Sequence, residues 1–271
     1  MGYKNTILEK IVDAKKEEIS SAKFREGYAD LKAKLSDCEP THDFLKPFDL
    51  QVPSPGLPKM RIIAEMKKAS PSAGELKAQY DPKKIAEVYE ECGAAAISVL
   101  TDPSFFKGSL NHLSEVRKAC SRPLLRKDFI IDPYQVYEAR VHGADCILAI
   151  AAILEPQQMA DLCGLAEELK MACLIEVHDE KEAGIASRIR VGRLLMGVNN
   201  RDLKTLKIDL ATTERLRPLL PPELPVISES GLSRREDLER LSAAGVQGFL
   251  IGETLLKAKD MKAKFQELIG T

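Results

Sequence analysis

The sequence predicts an α/β protein, a (β/α)8 TIM barrel with an N-terminal helical extension. Three observations support this fold. From about residue 61 onward, eight short apolar runs alternate with helical stretches. Six of those runs end, on their C-terminal side, in charged, amide, hydroxyl or glycine residues. No Gly-x-Gly-x-x-Gly follows the first run, where an open dinucleotide-binding sheet would carry it. A closed barrel gathers every strand end at one mouth. An open doubly wound sheet, the alternative, would leave several of these ends far apart.

The first 60 residues do not share the repeat. Ile7, Leu8, Ile11 and Val12 recur at helical spacing among Glu9, Lys10, Lys15, Lys16, Glu17 and Glu18. A second helical stretch is expected around residues 21–36. Thr41-His42-Asp43-Phe44-Leu45 and Phe48 form a short apolar patch, and residues 51–58 read as a turn-rich connector. Residues 1–60 are therefore expected to be an extension packed on a barrel of residues 61–271, one domain overall. The extension reads as a plug or flank of the barrel, with a substrate lid as the functional alternative. Mixed charge signs argue against a membrane-surface helix.

Strands are expected near 61–66, 95–100, 123–127, 145–149, 172–177, 194–198, 225–228 and 247–251. Asp81-Pro82 and Asp132-Pro133 place an N-cap acceptor before a proline at the first helical position. Glu155-Pro156 opens another helix, and Ser233 with Glu236 has capping-box spacing. Gly93, Gly143 and Gly245 stand where helices close before the next strand.

At 271 residues the chain can build one large core. A net charge of −1 argues against a nucleic-acid partner, which calls for a basic excess. No apolar run approaches the ~20 residues that span a bilayer, and Met1 leads into a charged amphipathic segment rather than a signal-peptide core. A cytoplasmic protein is expected, a monomer or weak homo-oligomer. The six cysteines show neither C-x-x-C pairs nor zinc spacing, and the four histidines form no ligand pair, so neither metal nor other cofactor is expected. His178 follows Glu176 by two positions, but it reads equally as a loop residue before the cap Asp179.

Strand side chains alternate faces. Glu65 and Lys67 thus share a face with Ile63, Lys127 with Leu125 and Phe129, Glu176 with Leu174, and Asn199 and Arg201 with Gly197. If these faces point inward, the mouth collects Glu65, Lys67, Lys127, Glu176, Asn199, Arg201 and Ser230. Crowded opposite charges shift one another's pKa values, which suits general acid–base catalysis. The structural alternative is a set of ion pairs that only satisfies the barrel top. Ser230-Gly231 and Gly252-Glu253-Thr254 follow the seventh and eighth runs, where barrels cradle phosphate with backbone N–H groups and a helix N-terminus. A phosphorylated small molecule is the implied ligand. Phe105, Phe106 and Phe129 suggest a flat apolar ring in it, with Leu148, Ile150, Leu174 and Leu250 lining the same slot.

These residues resemble one family throughout the chain. Glu65-Met66-Lys67-Lys68-Ala69-Ser70-Pro71-Ser72, Ser98-Val99-Leu100-Thr101-Asp102, Phe106-Lys107-Gly108-Ser109, Leu125-Arg126-Lys127-Asp128-Phe129, Glu176-Val177-His178-Asp179, Gly197-Val198-Asn199-Asn200-Arg201-Asp202-Leu203 and Ser228-Glu229-Ser230-Gly231 are similar to indole-3-glycerol-phosphate synthases. The resemblance implies ring closure of 1-(2-carboxyphenylamino)-1-deoxyribulose 5-phosphate, with loss of carbon dioxide and water. It implies Lys127 as the principal acid, Glu65 and Glu176 as acid–base carboxylates, Lys67 as a further donor and Asn199 as an orienting amide. Catalytic Ser230 and substrate-binding Ser70 and Arg201 would touch polar substrate groups. Gly231, Gly252 and Glu253 would hold the phosphate, and Phe106 and Phe129 the ring. Ala73, Thr41-His42-Asp43-Phe44 and Asn200 depart from the family's usual residues, which bears on affinity rather than on reaction type. Two other functions compete: a Schiff-base lyase with Lys127 or Lys67 as nucleophile, and a phosphate-binding barrel without activity.

Overall fold

The computed structural model describes residues 6–49, 60–70, 74–75, 80–203 and 205–270. The connector at 51–58, the Pro71-Ser72-Ala73 turn and the side chain of Ser70 lie outside the described residues. Eight parallel strands close into a barrel: β1 Ile62–Met66, β2 Ala96–Leu100, β3 Leu124–Lys127, β4 Cys146–Ile150, β5 Ala172–Val177, β6 Arg193–Asn199, β7 Val226–Glu229 and β8 Gly248–Ile251. Each pairs with the next, and β8 pairs back onto β1. The apolar runs dictate this order, since a strand covered on both faces needs a near-continuous apolar sequence. Register then sets the polar ends side by side. Lys127 pairs with Leu100, Glu176 with both Ile150 and Gly197, and Asn199 with Glu229.

The caps follow the sequence in most places. Asp81 accepts from Lys84 N, and Asp132 from Tyr134 N. Ser233 does not cap its helix. The cap residue is Arg234, because the short Asp237 carboxylate reaches back to the Arg234 N–H at 3.1 Å and Glu236 does not.

The extension begins with helix α1, Ile7–Arg25, and helix α2, Tyr28–Lys34. The break between them falls at Glu26-Gly27, later than the hydrophobic spacing implied, where Glu26 turns extended. Leu8, Ile11, Val12, Lys15 and Ile19 form the buried side of α1. Ile7, Leu8 and Ile11 reach the barrel mouth. Phe44 and Phe48 serve the opposite end. Both are buried, their ring centroids lie 5.9 Å apart, and a Cβ on Gly248 would stand 2.7 Å from the Phe48 ring. Gly248 opens β8, so Phe48 packs against the N-terminal end of the barrel.

Candidate active site

The C-terminal strand ends enclose a cavity of about 460 Å³. Lys127 stands at its centre. Its Nζ donates to Glu176 Oε2 at 2.8 Å and to Glu229 Oε2 at 2.6 Å. Asn199 Nδ2 donates to Glu176 Oε1 at 3.3 Å. Lys67 donates to Glu65 beside this group. Two small residues make the room. A Cβ on Gly197 would lie 2.4 Å from Glu229 Oε1, and one on Gly252 would lie 2.5 Å from Glu65 Oε1.

Burial and charge sort these groups into different protonation states. Burial disfavours the Lys127 ammonium, but Glu176, Glu229 and Glu65 outweigh it and raise its pKa. Burial also disfavours the Glu176 carboxylate, yet Lys127 and His178 hold its pKa well below the usual range. For Glu229 burial wins. Lys127 opposes it, the Glu176 charge adds to it, and the pKa is pushed up to about 8. Near neutral pH the cluster thus holds an ionised Glu176, a protonated Lys127 and a protonated Glu229. One acceptor and two donors in contact can exchange protons.

Most of the other positions expected from the sequence line the cavity. Phe106, Phe129, Leu148 and Leu250 form its apolar part, and the Phe106 and Phe129 centroids lie 6.2 Å apart. Arg201, Ser230, Gly231, Gly252 and Glu253 line the other part. Ser230 and Gly231 both adopt left-handed backbone, at φ 67° and 79°, which bends the chain sharply at the end of β7. Glu253 turns its carboxylate to Lys257 at 2.5 Å, so what it offers an anion is its backbone at the start of helix Glu253–Leu256. Leu174 corrects the reading: it is 0% exposed and does not line the cavity, because it sits a layer below Glu176 on the same face of β5. Phe105 does not line it either.

Sequence reasoning missed Glu229 and misjudged His178. Alternation from Ile227 points Glu229 inward, between the hydroxyls of Ser228 and Ser230. Ser228 in fact faces the helical layer, where it meets Thr213 and Asn200. Asn200 is buried and donates to Ser228 Oγ, Glu229 O and Ser230 O at 3.0–3.1 Å. His178 is no bystander. Its Nε2 lies 3.2 Å from Glu176 Oε1 and its Nδ1 lies 3.1 Å from Glu182 Oε2. Leu203 and Leu206, on the loop after β6, add apolar lining.

A parallel barrel with an acid–base cluster at its C-terminal mouth defines a (β/α)8-barrel enzyme. The model of the family described as indole-3-glycerol phosphate synthase matches residues 8–268, and the chain belongs to that family. Its activity is accordingly that of a carboxy-lyase of tryptophan biosynthesis. An indole-3-glycerol phosphate synthase of Dehalococcoides mccartyi (strain CBDB1) is 46% identical over 266 residues, covering 97% of this chain and 100% of the relative. One from Polaromonas naphthalenivorans (strain CJ2) is also 46% identical, over 97% of this chain and 98% of the relative. Among solved structures, 3-hexulose-6-phosphate synthase superposes with a TM-score of 0.60 at 15% identity, over 78% of this chain and 99% of that one. A structure of the tryptophan synthase complex from Pyrococcus furiosus gives 0.57 at 16%, over 80% and 100%. At such identities these two likenesses show the fold alone.

Proposed function

We propose that the cavity closes the indole ring of 1-(2-carboxyphenylamino)-1-deoxyribulose 5-phosphate with Lys127 as the acid. The ring carbon that bears the carboxylate attacks the ribulose ketone carbon. The C=O bonding pair moves onto oxygen, which takes a proton from Lys127 Nζ. The carbon–carboxylate bond then breaks, carbon dioxide leaves, and its electron pair restores the aromatic ring. Glu229 returns a proton to Lys127 across their 2.6 Å contact. Dehydration needs one proton delivered to the leaving hydroxide and one removed from the neighbouring carbon. Lys67 and Glu65, already in contact, supply that donor and acceptor. Asn199 and His178 hold the ionised Glu176 against Lys127.

The observation that carries this reading is Lys127 held between the Glu176 carboxylate and the Glu229 carboxyl. It also argues against the Schiff-base alternative, since a lysine kept as an ammonium is a poor nucleophile. Phe106 and Phe129 would take the carboxyphenyl ring, and Ser230, Gly231, Gly252 and the Glu253 backbone the phosphate, with Arg201 and Lys67 as nearby cations. The reading includes a cytoplasmic monomer or weak homo-oligomer. It is consistent with free thiols at all six cysteines and with no described helix long and apolar enough to cross a membrane.

The chain has no Trp, so indole emission reports product without background. Purified protein given this substrate should develop that emission. A folded protein that binds the substrate without turnover would support the inactive phosphate-binding barrel instead.

A further inference from the structure

The N-terminal helix carries a buried cation outside the acid–base cluster. Lys15, on α1, is 1% exposed. Its Nζ lies 2.8 Å from Asp128 Oδ1, 3.1 Å from Asp102 Oδ2 and 2.8 Å from Glu18 Oε2. Burial disfavours the charge, and these three carboxylates more than compensate. Two of them have a second task. Asp102 caps the helix Pro103–Phe106, accepting from Phe105 N at 2.7 Å and Phe106 N at 3.3 Å. Asp128 accepts from Phe129 N at 2.8 Å, and its other oxygen accepts from Thr101 Oγ1 and from Arg126.

We propose that Lys15 is a positioning residue for substrate: from the N-terminal helix, its ammonium ties together the two carboxylates that hold the backbones of Phe106 and Phe129, and so sets the gap that receives the aromatic ring. A four-residue helix has almost no stability of its own, so the place of Phe106 depends on its cap. An aspartate whose second oxygen is fixed by an ammonium cannot swing away from that cap. Asp128 is fixed from both sides, by Lys15 and Arg126, and its pKa falls to about 2 despite burial. The chain thus uses its extension to register two loops of the barrel against each other. Lys23, on the same helix, bonds Asp132 at 2.7 Å and anchors α1 at the cap of the helix Pro133–Val141.

This inference rests on the assignment of the Phe106–Phe129 pair to the substrate ring, and the test separates the two. Binding of indole-3-glycerol phosphate is read from its indole emission, and the phosphate subsite from competition by inorganic phosphate. Lys15→Met, Lys23→Met, Phe106→Leu and the double variant Lys15→Met/Phe106→Leu are compared. Lys15→Met should weaken binding of the indole compound about tenfold, the worth of an aromatic contact, and leave inorganic phosphate unchanged. The double variant should lose less than the sum of the two single losses. Equal weakening of both ligands, or the same loss in Lys23→Met, would reduce Lys15 to a general anchor and overturn the proposal. Full binding in Lys15→Met with weakened binding in Phe106→Leu would overturn it alone. Full binding in Phe106→Leu would overturn the ring assignment and the proposal with it. If Lys15→Met does not fold, Asp102→Asn decides by the same readouts: it keeps an oxygen for the cap and removes the charge that Lys15 holds.

Discussion

Gly197→Ala isolates the contact between Lys127 and Glu229 without touching either residue. The new Cβ would lie 2.4 Å from Glu229 Oε1, with Leu174 Cδ1 at 3.4 Å and the Glu176 Cα at 3.5 Å. Only the carboxylate is in the way. It must retreat by about 0.9 Å to restore a carbon–oxygen separation of about 3.3 Å. Oε2 of the same carboxyl group, which accepts from Lys127 at 2.6 Å, is displaced with it. A misplacement of ~1 Å at reacting groups costs on the order of 100-fold in rate, so kcat should fall by about that factor. The fold should barely respond. Gly197 has no left-handed φ, and alanine lowers the entropy of the unfolded chain by about 0.4–1 kcal/mol. Overpacking costs about 1–3 kcal/mol, and the obstructing atom is the free end of a side chain, so the net loss should be about 1 kcal/mol. Initial rates from indole emission and urea unfolding test both halves. A folded variant with the parent kcat would refute the claim that the Lys127–Glu229 contact is needed for turnover.

Three other outcomes follow from named contacts. Burial opposes the charge on His178, but Glu176 and Glu182 raise its pKa to about 10. The stability it contributes is therefore complete below about pH 6.5 and is lost as pH rises through about 10. His178→Gln should cost stability at pH 6 and progressively less toward pH 10 in urea unfolding, whereas a gap independent of pH would contradict the assignment. Phe48→Ala should cost about 3–5 kcal/mol and leave kcat intact, because Phe48 packs at the end of the barrel remote from the cavity; a loss of rate without a loss of stability would reverse that conclusion. Ile11→Ser, at the mouth, should raise KM and spare kcat if α1 shelters bound substrate, and an unchanged KM would leave the helix a purely structural role.

The barrel was legible because each strand announces itself locally. Apolar runs recur eight times, six of them with polar or glycine ends, prolines and glycines mark several of the helices between, and no distant partner is needed to see them. The same logic placed Lys127, Glu176, Asn199 and Glu65 at one mouth. It failed where a local pattern gave two answers. In Ser228-Glu229-Ser230, Ser228 faces the helical layer and Glu229 the cavity, whereas Ser230, past the strand end at φ 67°, lines the cavity as well, which alternation does not foretell. Leu174 was placed on the right face but one layer too high, since alternation gives direction and not depth. Lys15 was invisible among the charges of α1. Its meaning comes from Asp102 and Asp128, which the barrel brings to it from far along the chain.

The central claim is that Lys127, held as an ammonium by the ionised Glu176 and hydrogen-bonded to Glu229, delivers the proton for ring closure. Its direct test is the turnover of 1-(2-carboxyphenylamino)-1-deoxyribulose 5-phosphate by Lys127→Ala beside the parent, followed by indole emission, with folding of the variant checked by thermal unfolding. Loss of a general acid costs about 10²–10⁴-fold, and the variant's kcat should fall within or below that range. A folded Lys127→Ala that forms product at the parent rate would move the proton donor elsewhere, with Lys67 the next cation in the cavity, and would contradict the account.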